Sequence, residues 1–160
     1  MKKIFLIIST LAVVVLFSSA SSNNEKGGLV GSAASDFTVS NDDGEVSLRQ
    51  LRGNYVLLTL WSSADAVSRL DNIRCDRYVA DATGVVQLSV NFDRSKALFN
   101  ELVAADSLNT STQYYCEYQA RSAFNQKWGT GQHYNTYLIN PSGTVVAVNP
   151  TNQEITRLVN

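Results

Sequence analysis

The strongest constraint on what this chain can fold into lies in residues 56–69. There an unbroken apolar run, Val56-Leu57-Leu58-Thr59-Leu60-Trp61, meets a cluster of short polar side chains. The run is short, with β-branched and aromatic members, and reads as a strand buried on both faces. Ser62, Ser63 and Asp65 are residue types whose oxygens accept from the free N–H groups of a first helical turn. Arg69-Leu70-Asp71-Asn72-Ile73-Arg74 then continues at helical spacing, so a helix follows. A strand running into a helix N-terminus puts the intervening loop at the C-terminal edge of a sheet, where α/β folds hold their sites.

Around this centre the remaining chain divides into alternating elements. Phe37 and Val39 alternate with polar residues, Asn41-Asp42-Asp43-Gly44 supplies a turn, and Glu45-Val46-Ser47-Leu48 returns as a hairpin. Ser47 caps one helical turn that ends at Gly53. After the central helix, extended to about Ala82, Val85-Val86-Gln87-Leu88-Ser89-Val90 forms the next strand. Asp93 or Ser95 caps a helix over 96–105 that turns Ala97, Leu98, Leu102 and Val103 to the core. Residues 108–115 are expected as an edge strand, 117–128 as a helix ended by Gly129, and 135–148 as two strands around a Pro141-Ser142-Gly143 turn.

The 160 residues are 44% hydrophobic and 17% charged, which suits one globular domain over 29–160 and neither a disordered nor a fibrous chain. Residues 1–20 read as an export signal: Lys2 and Lys3, then an apolar run, then Ser18-Ser19-Ala20 for cleavage. Residues 21–28, SSNNEKGG, read as a flexible linker. No cysteine follows the apolar run, so a soluble periplasmic or secreted product is expected rather than a lipid-attached one. Without the signal, 11 basic residues face 14 acidic ones, a balance of −3 that gives no electrostatic case for nucleic acid. No basic amphipathic stretch suggests a membrane contact after cleavage.

The order GSAASDFTVSNDDGEVSLRQLRGNYVLLTLWSS, read from Gly31, resembles the entry to exported thioredoxin-fold proteins of the TlpA-like thiol-disulfide oxidoreductase and peroxiredoxin superfamily. Ala34, Asp36, Phe37, Gly44, Val46, Leu48, Leu51, Gly53, Leu57, Leu58, Trp61 and Arg69 fall on that family's pattern. The resemblance implies an α/β, thioredoxin-like fold: a central mixed sheet flanked by helices, an N-terminal β-hairpin and a central helix-strand insertion. It also implies that the two active-site cysteines of a CxxC motif correspond to Asp65 and Ser68. The proline that precedes the penultimate strand in the family, and is cis there, corresponds to Tyr134.

In an active relative the first cysteine draws a lowered pKa from the helix N-terminus and attacks a disulfide, and the second resolves the mixed disulfide. A carboxylate and a hydroxyl do neither, so the reading is a redox-inactive protein with Asp65 as a helix cap. A non-proline cis bond costs about 2.5–4 kcal/mol, so a trans bond and an altered loop are expected at Tyr134. Trp61, Asp65 and Tyr134 are the candidate binding surface for an extended peptide or another envelope protein.

Cys75 and Cys116 are the only cysteines. In an exported chain they permit a structural disulfide; two buried thiols are a second reading, and a relocated redox pair serving a thiol-disulfide oxidoreductase is a third. The lone His133 reads as an exposed loop residue rather than a metal ligand, and no cofactor is implied.

Overall fold

A computed structural model describes residues 29–160; the expected signal (1–20) and linker (21–28) lie outside the described residues. The first described residues cross the far edge of the sheet, where Gly31 N–H donates to Val145 O at 2.8 Å and Val145 N–H donates to Ser32 O at 3.0 Å. Strands β1 (Thr38–Asn41) and β2 (Gly44–Ser47) then form an antiparallel hairpin of their own. Its tip is tied by Asn41 to the turn at Thr110–Thr112, where Asn41 Nδ2 donates to Thr110 O at 3.2 Å. A single 3-10 turn, Leu48–Leu51, follows, opened by a reciprocal cap between Ser47 and Gln50.

The main sheet has the order β5-β4-β3-β6-β7. Its members are β3 (Tyr55–Trp61), β4 (Val85–Asn91), β5 (Gln113–Tyr115), β6 (Thr136–Ile139) and β7 (Val145–Val148). Strands β4 and β5 run parallel to β3, while β6 runs antiparallel to β3 and β7 antiparallel to β6, so the sheet is mixed. The helices are α1 (Ala66–Asp81), α2 (Lys96–Ala105), α3 (Arg121–Trp128) and α4 (Asn152–Val159). Helix α4 was not among the elements read from the sequence. Thr151 and Glu154 form its capping box, and Ile155 anchors it fully buried.

Strand alternation assigns the two faces of the sheet. Val56, Leu58 and Leu60 pack with Phe92, Phe124 and Trp128 under α3 and the hairpin. Leu57 packs with Leu138, Cys75 and Ile155 under α1 and α4, and Trp61 with Phe99, Val103 and Leu108 under α2. Strand β3 is buried on both faces as its composition requires, but the layer beneath α1 is partly polar. Asn72 Oδ1 accepts from Ser89 Oγ at 2.7 Å and Gln87 Nε2 at 2.9 Å, and Asn72 Nδ2 donates to Gln113 Oε1 at 3.0 Å. Each of these groups is buried, so each needs a partner to offset its lost hydration.

Three local expectations are corrected. On α2 it is Phe99 and Val103 that are buried, whereas Ala97 and Leu98 are exposed, because the helix is rotated to bring Phe99 against Trp61 and Tyr115. The edge strand is shortened to Gln113–Tyr115, since a 3-10 turn at Thr110–Thr112, capped by Asn109, occupies its beginning. Residues Tyr118–Ala120 form a separate 3-10 turn ahead of α3, and Gly129 ends that helix in the left-handed conformation, φ 72°.

Candidate functional site

Strand β3 delivers the chain to the C-terminal edge of the sheet at Ser62, and α1 leaves it from Asp65. Asp65 is the N-cap: its Oδ1 accepts from Val67 N–H at 3.1 Å and from Ser68 N–H at 3.2 Å. These are two of the donors that a helix start leaves without intrahelical partners. Ser68, buried beneath the turn, closes it from inside, donating through Oγ to Asp65 O at 3.0 Å and accepting from Ser62 N–H at 3.3 Å. The resemblance paired these two positions; the fold places them one helical turn apart at the mouth of α1.

A second carboxylate holds the loop from the neighbouring strand. Asp93, just beyond β4 and only 4% exposed, accepts at Oδ1 from Ser62 Oγ (2.7 Å), Ser63 N–H (2.8 Å) and Ser63 Oγ (3.0 Å). Its Oδ2 accepts from Asn91 Nδ2 at 3.0 Å. Burial works against the charge, but the hydrogen bonds from Ser62, Asn91 and Ser63 together outweigh it and hold the carboxyl below the ordinary aspartate value. Arg121 donates to the backbone oxygen of Asp93 and lies over the Tyr115 ring at 5.9 Å, so α3 is fastened to the same corner.

Tyr134 closes the fourth side. Its ring stacks on Phe92 at 5.4 Å with an interplanar angle of 28°. Burial pushes its phenol upward, against opposing effects from Arg121 and Ser62. Every peptide bond among the described residues is trans, including the one before Tyr134.

Trp61 is corrected as a surface residue. It is 0% exposed and packs on Phe99 at 6.2 Å, because alternation along β3 turns it under α2 rather than toward the loop. The apolar groups beside Asp65 that do face solvent are Val67 and Leu70, 71% and 65% exposed. Their spacing on α1 resembles that of core positions, so the sequence pattern did not single them out.

Cys75 and Cys116 are both free and buried. Cys75 sits under α1 with Leu57 and Leu138, while Cys116 sits in the cluster on the other face of the sheet with Phe124 and Trp128. A disulfide, or a relocated redox pair, would have to pass through the sheet, which corrects both readings. Burial pushes each thiol up to about 11, away from the thiolate that exchange chemistry requires. His133 is exposed beside Tyr134, and among the described residues no group of three His, Cys, Asp or Glu side chains could hold a metal ion.

The sequence reading missed Asp93 as a loop anchor, weighing it only as a helix cap, and Arg121 altogether. The available signal was position: Asp93 follows a parallel strand next to β3, at the edge where the Ser62 loop also lies. Chemically the corner is a set of mutually satisfied oxygens. Ser62 Oγ donates to the Asp93 carboxylate, which its hydrogen bonds hold below the ordinary aspartate value.

No protein-family model matches the chain, and no curated protein matches it. Solved structures do. The thioredoxin domain of a thiol-disulfide oxidoreductase from Bacteroides vulgatus overlaps with a TM-score of 0.74 at 20% identity, covering 82% of this chain and 99% of that one. A thioredoxin-like protein from Parabacteroides distasonis overlaps with a TM-score of 0.63 at 28% identity, covering 69% of this chain and 82% of that one. A thiol:disulfide interchange protein from a Bacteroides species gives 0.68 at 20% identity, covering 83% and 89%. With β3 central, β4 and β5 parallel to it and the β6–β7 hairpin antiparallel, the chain has a thioredoxin-like fold.

Proposed function

We propose that this chain is an exported, TlpA-like relative of the thiol-disulfide oxidoreductases that has lost thiol exchange and keeps the loop at the mouth of α1 as a partner-binding corner. The observation that carries the reading is the mouth itself: Asp65 caps Val67 and Ser68, Ser68 ties back to Asp65 and Ser62, and no sulfur stands there. The partner is an extended peptide or another envelope protein, meeting Asp65, Tyr134 and the exposed Val67 and Leu70. The stacking of Tyr134 on Phe92 supports a fixed aromatic surface rather than a collapsed loop. A role as a purely structural protein would use the same corner without the contact.

The test is insulin reduction with dithiothreitol, alongside oxidation of a dithiol peptide. Purified protein is expected to add nothing to the uncatalysed rate, and native thiol titration is expected to find neither cysteine reactive until denaturant is added. Turnover at the rate of active thioredoxin-like enzymes would overturn the reading.

A further inference from the structure

The turn that ends α2 carries a hydroxyl the fold does not use. Ser107 is exposed and has φ 51°, in the left-handed region that a residue with a Cβ seldom adopts. Glycine would hold this conformation with less strain. Among the described residues Ser107 bonds through its backbone alone, its N–H donating to Ala104 O at 3.1 Å and its O accepting from Arg77 Nη1 at 3.0 Å. The side-chain oxygen therefore answers no structural need of the turn.

Its neighbours, by contrast, are fixed. Asp106 accepts from Arg69 at both carboxylate oxygens, Nε to Oδ2 at 2.8 Å and Nη2 to Oδ1 at 2.7 Å, and its backbone O accepts from Arg77 Nη2 at 2.7 Å. Leu108 is 6% exposed and packs with Trp61, Phe99 and Val103. Asn109 N–H donates to Asp76 Oδ1 at 3.0 Å. One hydroxyl is thus held out to solvent between an anchored acid and an anchored aliphatic residue, a position that tolerates a bulky polar substituent.

In sequence, Asp106-Ser107-Leu108 resembles the acceptors of protein O-glycosylation in the bacterial envelope, in which an acid precedes the hydroxyl and an aliphatic residue follows it. We propose that Ser107 Oγ carries an O-linked glycan; this rests on the export part of the reading above and is independent of the α1 corner. The donor is a lipid-linked glycosyl phosphate. The bond from the sugar C1 to Ser107 Oγ forms as the bond from C1 to the phosphate oxygen breaks, the lipid phosphate leaves, and the serine proton passes to a base of the transferase. Because the fold turns Asp106 and Leu108 inward, the transferase reads the three residues together before the chain folds, and the finished turn leaves the sugar in water.

The experiment is intact-mass measurement of the full-length gene product purified from the cells that naturally make it, with electron-transfer fragmentation, which leaves sugars attached, to locate the substituent. The expected result is an envelope-localised chain that has lost its first residues and is heavier than the remaining polypeptide by a whole number of sugar residues, all attached at Ser107. Ser107→Gly, which suits the positive φ and so keeps the turn, is expected to lose the whole increment. A processed chain with the mass of bare polypeptide overturns the proposal and leaves export standing, whereas an unprocessed chain in the cytosol overturns both. A glycan on Thr110, Ser111 or Thr112 instead, or an increment that survives Ser107→Gly, also overturns it.

Discussion

Asp65 and Asp93 stand on neighbouring loops at one edge of the sheet, and they hold it in different ways. Asp65 is partly exposed and works locally, satisfying the first N–H groups of the helix it begins. Asp93 is buried and works across the chain, receiving three hydrogen bonds from a loop about thirty residues earlier in the sequence. A cap can be replaced in part by water, whereas a buried carboxylate with several donors leaves those donors unpaired when it is removed. The difference teaches that Asp65, which the resemblance sets at a cysteine position, maintains the helix, while the shape of the corner is maintained by a residue outside that motif.

The comparison is broken or sharpened most strongly by Asp93→Ala. Loss of the bonds to Ser62 and Ser63 is expected to lower stability by about 3 kcal/mol in chemical denaturation. A loss no larger than that of an exposed cap would show that the two acids do equivalent work.

The next effect is on pH dependence. The folded Asp93 carboxyl lies below its ordinary value, so its stabilisation is fully present above the unfolded aspartate pKa, about 3.9, and disappears as pH falls through the folded value. Wild type is therefore expected to exceed Asp93→Asn by a constant margin at neutral pH, with the margin closing below about pH 4. Denaturation midpoints measured across that range would check this, and a margin independent of pH would remove the charge from the account.

The smallest effect is that of Asp65→Ala, expected to cost about 1 kcal/mol and to leave the Ser62–Asp93 contacts in place. Hydrogen exchange should then quicken at Val67 and Ser68 and stay unchanged at Ser63; faster exchange at all three would mean that the cap and the anchor act as one unit.

Much of the fold was legible because it rests on short-range physics. The β3 run, the Asp65 cap, the Ser47 cap and the Gly129 stop each involve residues within a few positions of one another. Helix α2 was placed correctly along the chain but not in rotation: its apolar residues permit more than one inward face, and Phe99 is selected by the space beside Trp61. Trp61 itself reads equally as a strand end or as a ledge until the direction of its side chain is known. Asp65, Ser68 and Tyr134 were found by alignment to a pattern, and Asp93 and Arg121 were not because that pattern has no place for them.

The sequence by itself determined the kind and order of most elements and the lack of a thiol at the mouth of α1, since capping, alternation and residue identity act over one or two turns of chain. Only the tertiary structure decided that Cys75 and Cys116 lie on opposite faces, that Trp61 points inward, and that Asp93 reaches the Ser62 loop. Those outcomes depend on which side of the sheet each element packs against, and that is set by the joint filling of a shared core rather than by any stretch of residues alone.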